Sequence, residues 1–592
     1  MKKSTIYLLI FGGVALLSVF LLIWTIAGPS GPILVSKQTT YLTEPLGANG
    51  LVNYQKALVE MQSANVSPAE NAAIPYLQAT WPCELDPEYQ SLVCDALQMP
   101  IPAADGMDSL YNADVRQATA DWVNQQAATK QANSPAEPLD PRDADQILSE
   151  ALEVAWTRDQ LPPLAAWLDD QAPHFDKLHE MNARPKFFLP SANFLDNKYE
   201  MLIAALLPTV QHQRDAARSL SARAMLAIGE NRPTDAWEDI KTIFTLSRCH
   251  SKPGCLIEML VCNAIRGVAF AKLTTLLDSG QCDAALLDEI EQFLAQTKPY
   301  DEMAPSINMM ERIAGLDAAI SLSTHEINAD AAIGSGDGSL NSLTYAPYDR
   351  NAMLRKLNQW YDRIAATAEI DNLDDRKAAM EQLEIDITAE TQGAVTAGSV
   401  TGAIFNQSAR GELVAKVLAG LLMPAITQAV LAEERTNGQL QLMRVAVALE
   451  KYKVETGDYP DTLTPLAKRV DPALLKDPYS AGLLQYQKRP PGYLLYGIFQ
   501  DRTDDGGNSQ DGEIIAGEWI TGDSISIYPN GDQIIRLSLP KKSLSDVMPW
   551  NQPADEIEFN FPLEETPTGE EPPLAEPQTT EPAAVSPETT SE

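Results

Sequence analysis

Residues 219–246 read SLSARAMLAIGENRPTDAWEDIKTIFTL, and this stretch decides the fold class. Its apolar residues recur every three or four positions: Leu220, Ala224, Ile228, Trp237, Ile240, Ile243 and Phe244. That spacing is typical of helices with one buried face. Gly229 is a natural end for a first helix, and a second is expected after Pro233 with Thr234 as its cap. The sequence therefore predicts two consecutive helices joined by a tight turn.

Small side chains at Ala224, Ala227 and Ala236 surround this turn and permit close helix packing. The pair resembles a tetratricopeptide-type helical hairpin. The roughly 34-residue consensus of that family does not repeat along the chain, so we expect an irregular stack of hairpins. The same apolar spacing predicts further helices at about 199–210, 255–279, 283–296, 303–323 and 353–364.

An apolar run at 413–432 raises the question of a membrane span within the body, but it contains Lys416, Pro424 and Gln428. Because a charge at the bilayer centre is costly, we interpret the run as a core helix kinked at Pro424. A separate long helix is expected after Asn437-Gly438, with its end at Gly457.

Residues Thr5–Ala27 are twenty-three consecutive uncharged residues, preceded by Lys2 and Lys3. As a helix they would extend over about 35 Å, enough to cross a hydrocarbon core of about 30 Å. The basic pair favours a cytoplasmic amino terminus, which places the rest of the chain outside the cytoplasm. A cleaved signal peptide is the alternative, because Thr25-Ile26-Ala27 is an acceptable cleavage site. In both interpretations the body lies outside the cytoplasm.

The chain is strongly acidic, with 81 acidic against 44 basic residues and a net charge of −37. Such a charge repels phosphate backbones, so we expect no nucleic-acid partner, and it favours cations or basic partners. The alternative is that acidity simply keeps an exported protein soluble.

Six cysteines form an even set that an oxidising compartment would allow to pair. Their close spacing suggests disulfides between Cys83 and Cys94 and between Cys249 and Cys255. Cys262 lies in an apolar helical run and is interpreted as a buried thiol. There is no Cys-x-x-Cys spacing that would indicate a metal site.

A long stretch near the carboxyl end has a recognisable pattern. It contains Ala448-Leu449-Glu450-Lys451-Tyr452, Gly457-Asp458-Tyr459-Pro460, Leu463, Leu466, Asp477-Pro478-Tyr479, Tyr486 and Gly492-Tyr493 through Tyr496. This stretch resembles the globular part of type II secretion major pseudopilins, which implies a long helix packed on a small antiparallel sheet. Residues 1–27 contain no Glu, so the prepilin-peptidase site of that family is missing. The overall layout resembles a group of membrane-anchored proteins of planctomycete bacteria, for which no activity is assigned.

The loop after the expected strand is the best sequence candidate for a chemical site. Asp501, Asp504, Asp505 and Asp511, together with Asn508, are interleaved with glycines. The pseudopilin resemblance implies calcium at these positions, and hard cations prefer such oxygen ligands. The spacing does not match an EF-hand, and a plain acidic turn is the alternative. A hairpin is expected next, with Asn530-Gly531 at its turn.

No catalytic motif was found. The five histidines are scattered, and His179-Glu180 lacks the second His of a zinc-protease helix. His174 and His179 are expected to be surface or capped histidines. Glu150 and Glu153 lie three apart on an expected helix, and spacing alone cannot show a cleft. The Gly334–Gly338 segment is interpreted as a flexible linker.

The predicted architecture is mainly α, with irregular helical hairpins and a small α+β module. Its parts are a transmembrane anchor at 1–36, a helical region at 37–197, a helical-hairpin body at 198–436, the pseudopilin-like module at 437–545 and an acidic Pro/Thr-rich disordered tail at 546–592. The leading functional hypothesis is a membrane-anchored extracytoplasmic scaffold with an unknown protein partner. The alternatives are an accessory component of a secretion or pilus-like system, and an enzyme with an unrecognised site.

Overall fold

The computed structural model describes most of the body between residues 28 and 551. The described residues are 28–82, 85–130, 138–191, 194–195, 202, 208–299, 303–324, 347–394, 406–480, 482–498, 502–504, 506, 533–537, 543–548 and 550–551. The predicted span 5–27, the linker at 334–338 and nearly all of the acidic tail therefore lie outside them. Within the described part of the chain, no helix is both long and apolar enough to cross a bilayer.

The described chain is mainly helical, as the sequence predicted. Seven short helices form the amino-terminal region: α1 (Tyr54–Ser63), α2 (Ala73–Thr80), α3 (Pro87–Ala96), α4 (Ala113–Lys130), α5 (Ala144–Glu153), α6 (Pro162–Asp170) and α7 (Ala172–His179). The central helices are α8 (Pro208–Gly229), α9 (Pro233–Leu246), α10 (Leu256–Asp278) and α11 (Ala284–Gln296). After them come α12 (Met303–Ser306), a π-helical turn (Ile307–Glu311), α13 (Arg312–Ser323), α14 (Arg350–Ala368), α15 (Leu373–Ala394) and α16 (Gln407–Thr456).

The hairpin predicted at 219–246 is confirmed as α8 and α9. The expected cap is wrong: Arg232 occupies the cap position of α9 with no side-chain hydrogen bond, and Thr234 lies inside the helix after Pro233. Gly229 has a second role besides ending α8. A Cβ atom there would lie 1.9 Å from the backbone oxygen of Trp156, so only glycine lets these two segments approach.

Helix α16 runs without interruption through Pro424 and through Asn437-Gly438. The run at 413–432 is therefore a helix of the body, as predicted, and Ala415 and Ala429 in it are fully buried. The expected helix boundary at Asn437-Gly438 is wrong, so the predicted domain boundary at 436/437 falls inside one helix. Gly457 ends α16 in the left-handed conformation, with φ 89°, as predicted.

A small antiparallel sheet follows α16. It consists of β1 (Gln485–Arg489), β2 (Gly492–Gly497) and β3 (Gln533–Leu537), in the order β1-β2-β3. Leu495 in β2 lies opposite Tyr486 in β1 and Ile535 in β3. Every residue of β2 is buried, because the sheet packs against the carboxyl-terminal half of α16.

Two hydrophobic cores hold these elements together. The first core contains side chains from α2 to α11, the second half of α16 and the sheet. The second core contains side chains from α1, α10, α12 to α15 and the first half of α16. Since α16 contributes to both cores, it joins the helical body to the sheet.

The contact between α16 and the segment leading to the sheet contains a buried carboxyl group. Glu450 is 5% exposed, and its Oε1 accepts a hydrogen bond of 2.6 Å from the Tyr459 hydroxyl. Lys453 Nζ lies 3.9 Å from its other oxygen. Burial raises the pKa of Glu450 to about 7, against the opposing effects of Tyr459 and Lys453 and with the support of nearby Asp278.

We expect Glu450→Gln to change how stability depends on pH. The pKa of Glu450 is higher in the folded state than in the unfolded chain, so its stabilising effect is complete below about pH 4.5 and is lost as the pH rises through about 7. Glutamine accepts the same hydrogen bond without titrating. As the pH rises from about 4.5 to about 7, the free energy of unfolding of the variant should therefore increase by about 2–3 kcal/mol relative to that of the wild type.

The measurement is urea unfolding of both proteins across this pH range. Glu455→Gln is the matched control, since Glu455 lies on the same helix with its side chain 51% exposed. The control should change stability by less than about 1 kcal/mol at every pH. If the stability difference between Glu450→Gln and the wild type stays constant with pH, the raised pKa of Glu450 is contradicted.

Candidate functional site

A polar cleft of about 460 Å³ opens between α6, α7, α8 and α9. Three side chains at its base belong to different helices: His179 is the last residue of α7, Arg223 lies in α8, and Asp239 lies in α9. The other residues that line it are Arg158, Leu168, Asp169, Ala172, Asp176, Leu226, Ala227, Glu230, Arg232, Asp235 and Glu238.

Asp239 is the buried centre of this group, with 1% of its surface exposed. Arg223 Nε donates to both carboxylate oxygens, at 3.0 Å to Oδ1 and 2.9 Å to Oδ2. Arg223 Nη2 also contacts Oδ1. His179 Nε2 lies 2.9 Å from the same Oδ1. A buried carboxylate with two such partners is held in one position.

His179 Nε2 faces a donor and an acceptor at once. Arg223 Nη2 lies 2.8 Å from Nε2 and is always a donor, whereas Asp239 Oδ1 is an acceptor. If the imidazole proton is on Nδ1, Nε2 accepts from Arg223. If the proton is on Nε2, the ring donates to Asp239. Each tautomer of His179 therefore satisfies one of these two neighbours and leaves the other unmatched.

Neighbouring contacts fix the orientation of the group. The Arg223 guanidinium lies over the Phe175 ring, 4.3 Å from its centroid. Close to His179, Asn182 Nδ2 donates to Thr242 Oγ1 at 2.9 Å, and Thr245 Oγ1 donates to Asn182 Oδ1 at 2.6 Å. These bonds join the turn after α7 to α9 and hold His179 against Asp239.

The rim of the cleft carries charges of both signs in alternation. Arg158 contacts Asp169 at 2.5 Å and Glu230 at 3.5 Å. Arg232 contacts Glu230 at 3.0 Å and Asp235 at 2.7 Å. The Arg158, Arg232, Asp169 and Asp235 side chains are 41–61% exposed, so a ligand reaches them readily.

The composition of the lining limits its chemistry. The fourteen lining residues include no Ser, Thr, Cys, Lys or Tyr, so the groups able to act as nucleophiles there are carboxylates and His179. His179 is the one histidine among these lining residues. The described residues include no set of three or more His, Cys, Asp or Glu side chains arranged to hold a metal.

No protein-family model, curated protein or solved structure matches this chain.

The predicted calcium loop is only partly described. Asp501, Asp505 and Asp511 lie outside the described residues, as does Asn508. Asp504 Oδ1 accepts hydrogen bonds from the Tyr496 hydroxyl at 3.1 Å and from the backbone nitrogen of Gly506 at 2.9 Å. One oxygen of the described aspartate is therefore engaged by the protein, and the calcium site stays a prediction.

The Cys249–Cys255 disulfide suggested by spacing is not formed in the structure, where both residues are buried free thiols. Cys249 Sγ donates to the backbone oxygen of Thr245 at 3.2 Å. Cys255 caps α10, and its Sγ accepts from the Glu258 backbone nitrogen at 3.4 Å. Burial raises the pKa of Cys249 to about 12. Cys262 is a buried thiol, as predicted.

The other predicted pair, Cys83 with Cys94, involves a residue outside the described part of the chain, Cys83. Cys94 is a buried free thiol in the structure. This pairing stays a prediction.

Sequence reasoning expected His179 to be a surface or capped histidine and missed its partners, Arg223 and Asp239. Arg223 stands between Ala222 and Ala224 on a buried helix, and Asp239 stands beside Ile240 in an apolar stripe. A charged residue inside a buried stripe is the signal that would have indicated both, because burial of a charge requires a partner. Glu153, which spacing paired with Glu150, instead bonds Lys272 Nζ at 2.5 Å.

Proposed function

We propose that the chain is a membrane-anchored extracytoplasmic binding protein that holds a protein partner at the cleft above His179. The anchor and the export of the body are supported by the uncharged segment 5–27 and the preceding lysines. The binding role is supported by stacked antiparallel helix pairs such as α8 and α9, which we interpret as irregular tetratricopeptide-like hairpins.

One observation carries the proposal: side chains of both charges line the cleft and are held in fixed ion pairs. Its base is occupied by the mutually bonded His179, Arg223 and Asp239. Its rim offers alternating charges from Arg158, Arg232 and their acidic partners. Such a surface complements a polar peptide segment that carries both signs of charge.

Photo-crosslinking in intact cells tests this role. A photoreactive residue is placed at Asp235, whose side chain is 60% exposed at the rim, or at Glu60, 59% exposed on α1. We expect one discrete protein adduct from the Asp235 position and none from Glu60. The adduct should disappear when Arg158→Ala and Arg232→Ala are combined, because these half-exposed arginines contribute less to stability than to charge recognition.

The absence of an adduct at Asp235, or its persistence in the double variant, would contradict binding at the cleft. The topology is tested separately. Protease added to intact spheroplasts should digest the body, and protection of the body would contradict export.

A second function, hydrolysis, is favoured by the 2.9 Å contact between His179 Nε2 and Asp239. A carboxylate-supported imidazole is a general base for water. The test is a screen of ester, phosphoester and peptide substrates with the full chain and with His179→Gln. An activity that is lost in this variant while the Asp235 adduct remains would support the enzyme, and an activity unchanged by it would arise elsewhere.

A third function, an accessory role in a secretion or pilus-like system, is favoured by the arrangement of α16 and the sheet. A long helix packed on a small antiparallel sheet is the arrangement that the pseudopilin resemblance implies. Crosslinked membranes would be solubilised and the chain recovered under denaturing conditions. Recovery without any secretion component would contradict this role.

Calcium at Asp501, Asp504, Asp505 and Asp511 remains part of the proposal. Calorimetry of the full chain with millimolar calcium tests it. We expect heat of binding and a rise in melting temperature, because a ligand that binds the folded state stabilises it. No heat and no rise would contradict a calcium site.

A further inference from the structure

The segment that follows the proposed span is attached to the body from its first described residue. Gly28 is buried, and its backbone oxygen accepts a hydrogen bond of 3.0 Å from Gln407 Nε2. Ser30 Oγ accepts from the backbone nitrogen of Tyr348 at 3.2 Å. Both partners lie at the amino-terminal ends of α16 and α14.

Further contacts continue this attachment along the segment. Asn351 Nδ2 donates to the backbone oxygen of Pro32 at 2.9 Å, and Asn351 Oδ1 accepts from the backbone nitrogen of Leu34 at 2.8 Å. Asn358 Nδ2 donates to the backbone oxygen of Thr39 at 2.9 Å. The chain therefore leaves the proposed span onto the body with no free linker between them.

We call the surface around these contacts the Gly28 end and define it as residues 28–43, 347–351 and 406–411. Its charged side chains are Lys37, Asp349, Arg350 and Arg410, and Arg410 is only 8% exposed. Glu44 and Glu412 adjoin it in the sequence, so its charge does not select lipid headgroups of one sign.

The Gly28 end also presents an apolar side chain to solvent. Leu34 is 60% exposed, while its neighbours Ile33 and Val35 pack against the second core. In an extended segment successive side chains point in opposite directions, so Leu34 points away from the body. Six residues of chain extend over at most about 20 Å, which keeps Leu34 close to the point where the span ends.

We infer that the Gly28 end rests on the surface of the bilayer, with Leu34 in contact with lipid. This inference depends on the proposed anchor. The attachment without a linker sets the distance, and Leu34 supplies the apolar contact. The body then has one orientation on the membrane, with α16 leading away from it toward the sheet.

The test uses the full chain reconstituted in vesicles of phosphatidylethanolamine and phosphatidylglycerol. A photoreactive benzoylphenylalanine is incorporated in place of Leu34 or, as the matched control, in place of Val454. Val454 is 48% exposed and lies on α16, about 70 Å along the helix from Gln407. Both positions are exposed, so neither replacement disturbs a core.

Flotation of the vesicles is measured first, and covalent transfer of labelled lipid second. We expect the protein to float, with a lipid adduct at Leu34 several-fold above that at Val454. If the protein floats and the two positions give equal adducts, or Leu34 gives a protein adduct in place of lipid, the inference is overturned while the anchor stands. If the protein does not float, the anchor itself is overturned, and the inference with it.

Discussion

Asp239→Ala is expected to lower the free energy of unfolding by about 3–5 kcal/mol, because it breaks a buried ion pair. Asp239 is 1% exposed, and its carboxylate is the shared partner of Arg223 and His179. Without it the Arg223 guanidinium, only 20% exposed, has lost its counter-charge in the cleft. The measurement is the shift of the urea midpoint at unchanged slope.

Two further variants make this prediction specific. Asp239→Asn keeps an acceptor oxygen without the charge. Its free energy of unfolding should lie between those of the wild type and Asp239→Ala. Asp235→Ala, on the exposed side of the same helix, removes a surface pair with Arg232 and should cost less than about 1 kcal/mol. Equal losses for Asp239→Ala and Asp235→Ala would show that the buried group does not hold α7, α8 and α9 together.

Lys272→Met is expected to destabilise the protein by about 3–5 kcal/mol at neutral pH. Lys272 is 1% exposed in α10, and its Nζ lies 2.5 Å from Glu153 Oε2 at the end of α5. Methionine keeps most of the buried apolar stem, so the loss reports mainly the missing charge. Burial already raises the pKa of Glu153, and Lys272 opposes that rise. Without Lys272 the carboxyl group is left uncompensated.

The pair of Lys272 and Glu153 also determines how the loss of stability in Lys272→Met depends on pH. Removal of Lys272 raises the pKa of Glu153 further, so acid protonates the carboxyl group and the loss should be smaller at low pH. Lys272→Met combined with Glu153→Gln should recover most of the stability, because neither side chain is then charged. Lys177→Met, which affects only a surface pair with Glu180, is the matched control. A double variant no more stable than Lys272→Met would contradict the pairing.

The helices were predictable because their apolar spacing is local. Leu220, Ile228, Trp237 and Ile243 indicated α8 and α9, and Gly229 and Gly457 indicated where helices end. The boundary placed at Asn437-Gly438 was wrong because helix propensity is a weak local preference. Leu440 and Met443 just after that pair are buried in the first core, and this packing outweighs the cost of one glycine.

The candidate site was only partly predictable. His179 was visible as a residue type, but its partners lie 44 and 60 positions away along the chain. No spacing rule relates such distances, because the packing of three helices sets them. The Cys249–Cys255 pairing illustrates the same limit, since closeness in sequence did not bring the two thiols into a bond.

The sequence by itself determined that this chain is mainly helical, strongly acidic and headed by a segment long and apolar enough for a membrane. These properties depend on composition and on spacing within a few turns. The tertiary structure alone decided that Asp239 meets Arg223 and His179, that Lys272 meets Glu153, and that Gly28 is attached to Gln407. Those contacts join residues far apart in the chain, and the physical reason is that burial forces each charged or polar group to find a partner wherever packing brings one.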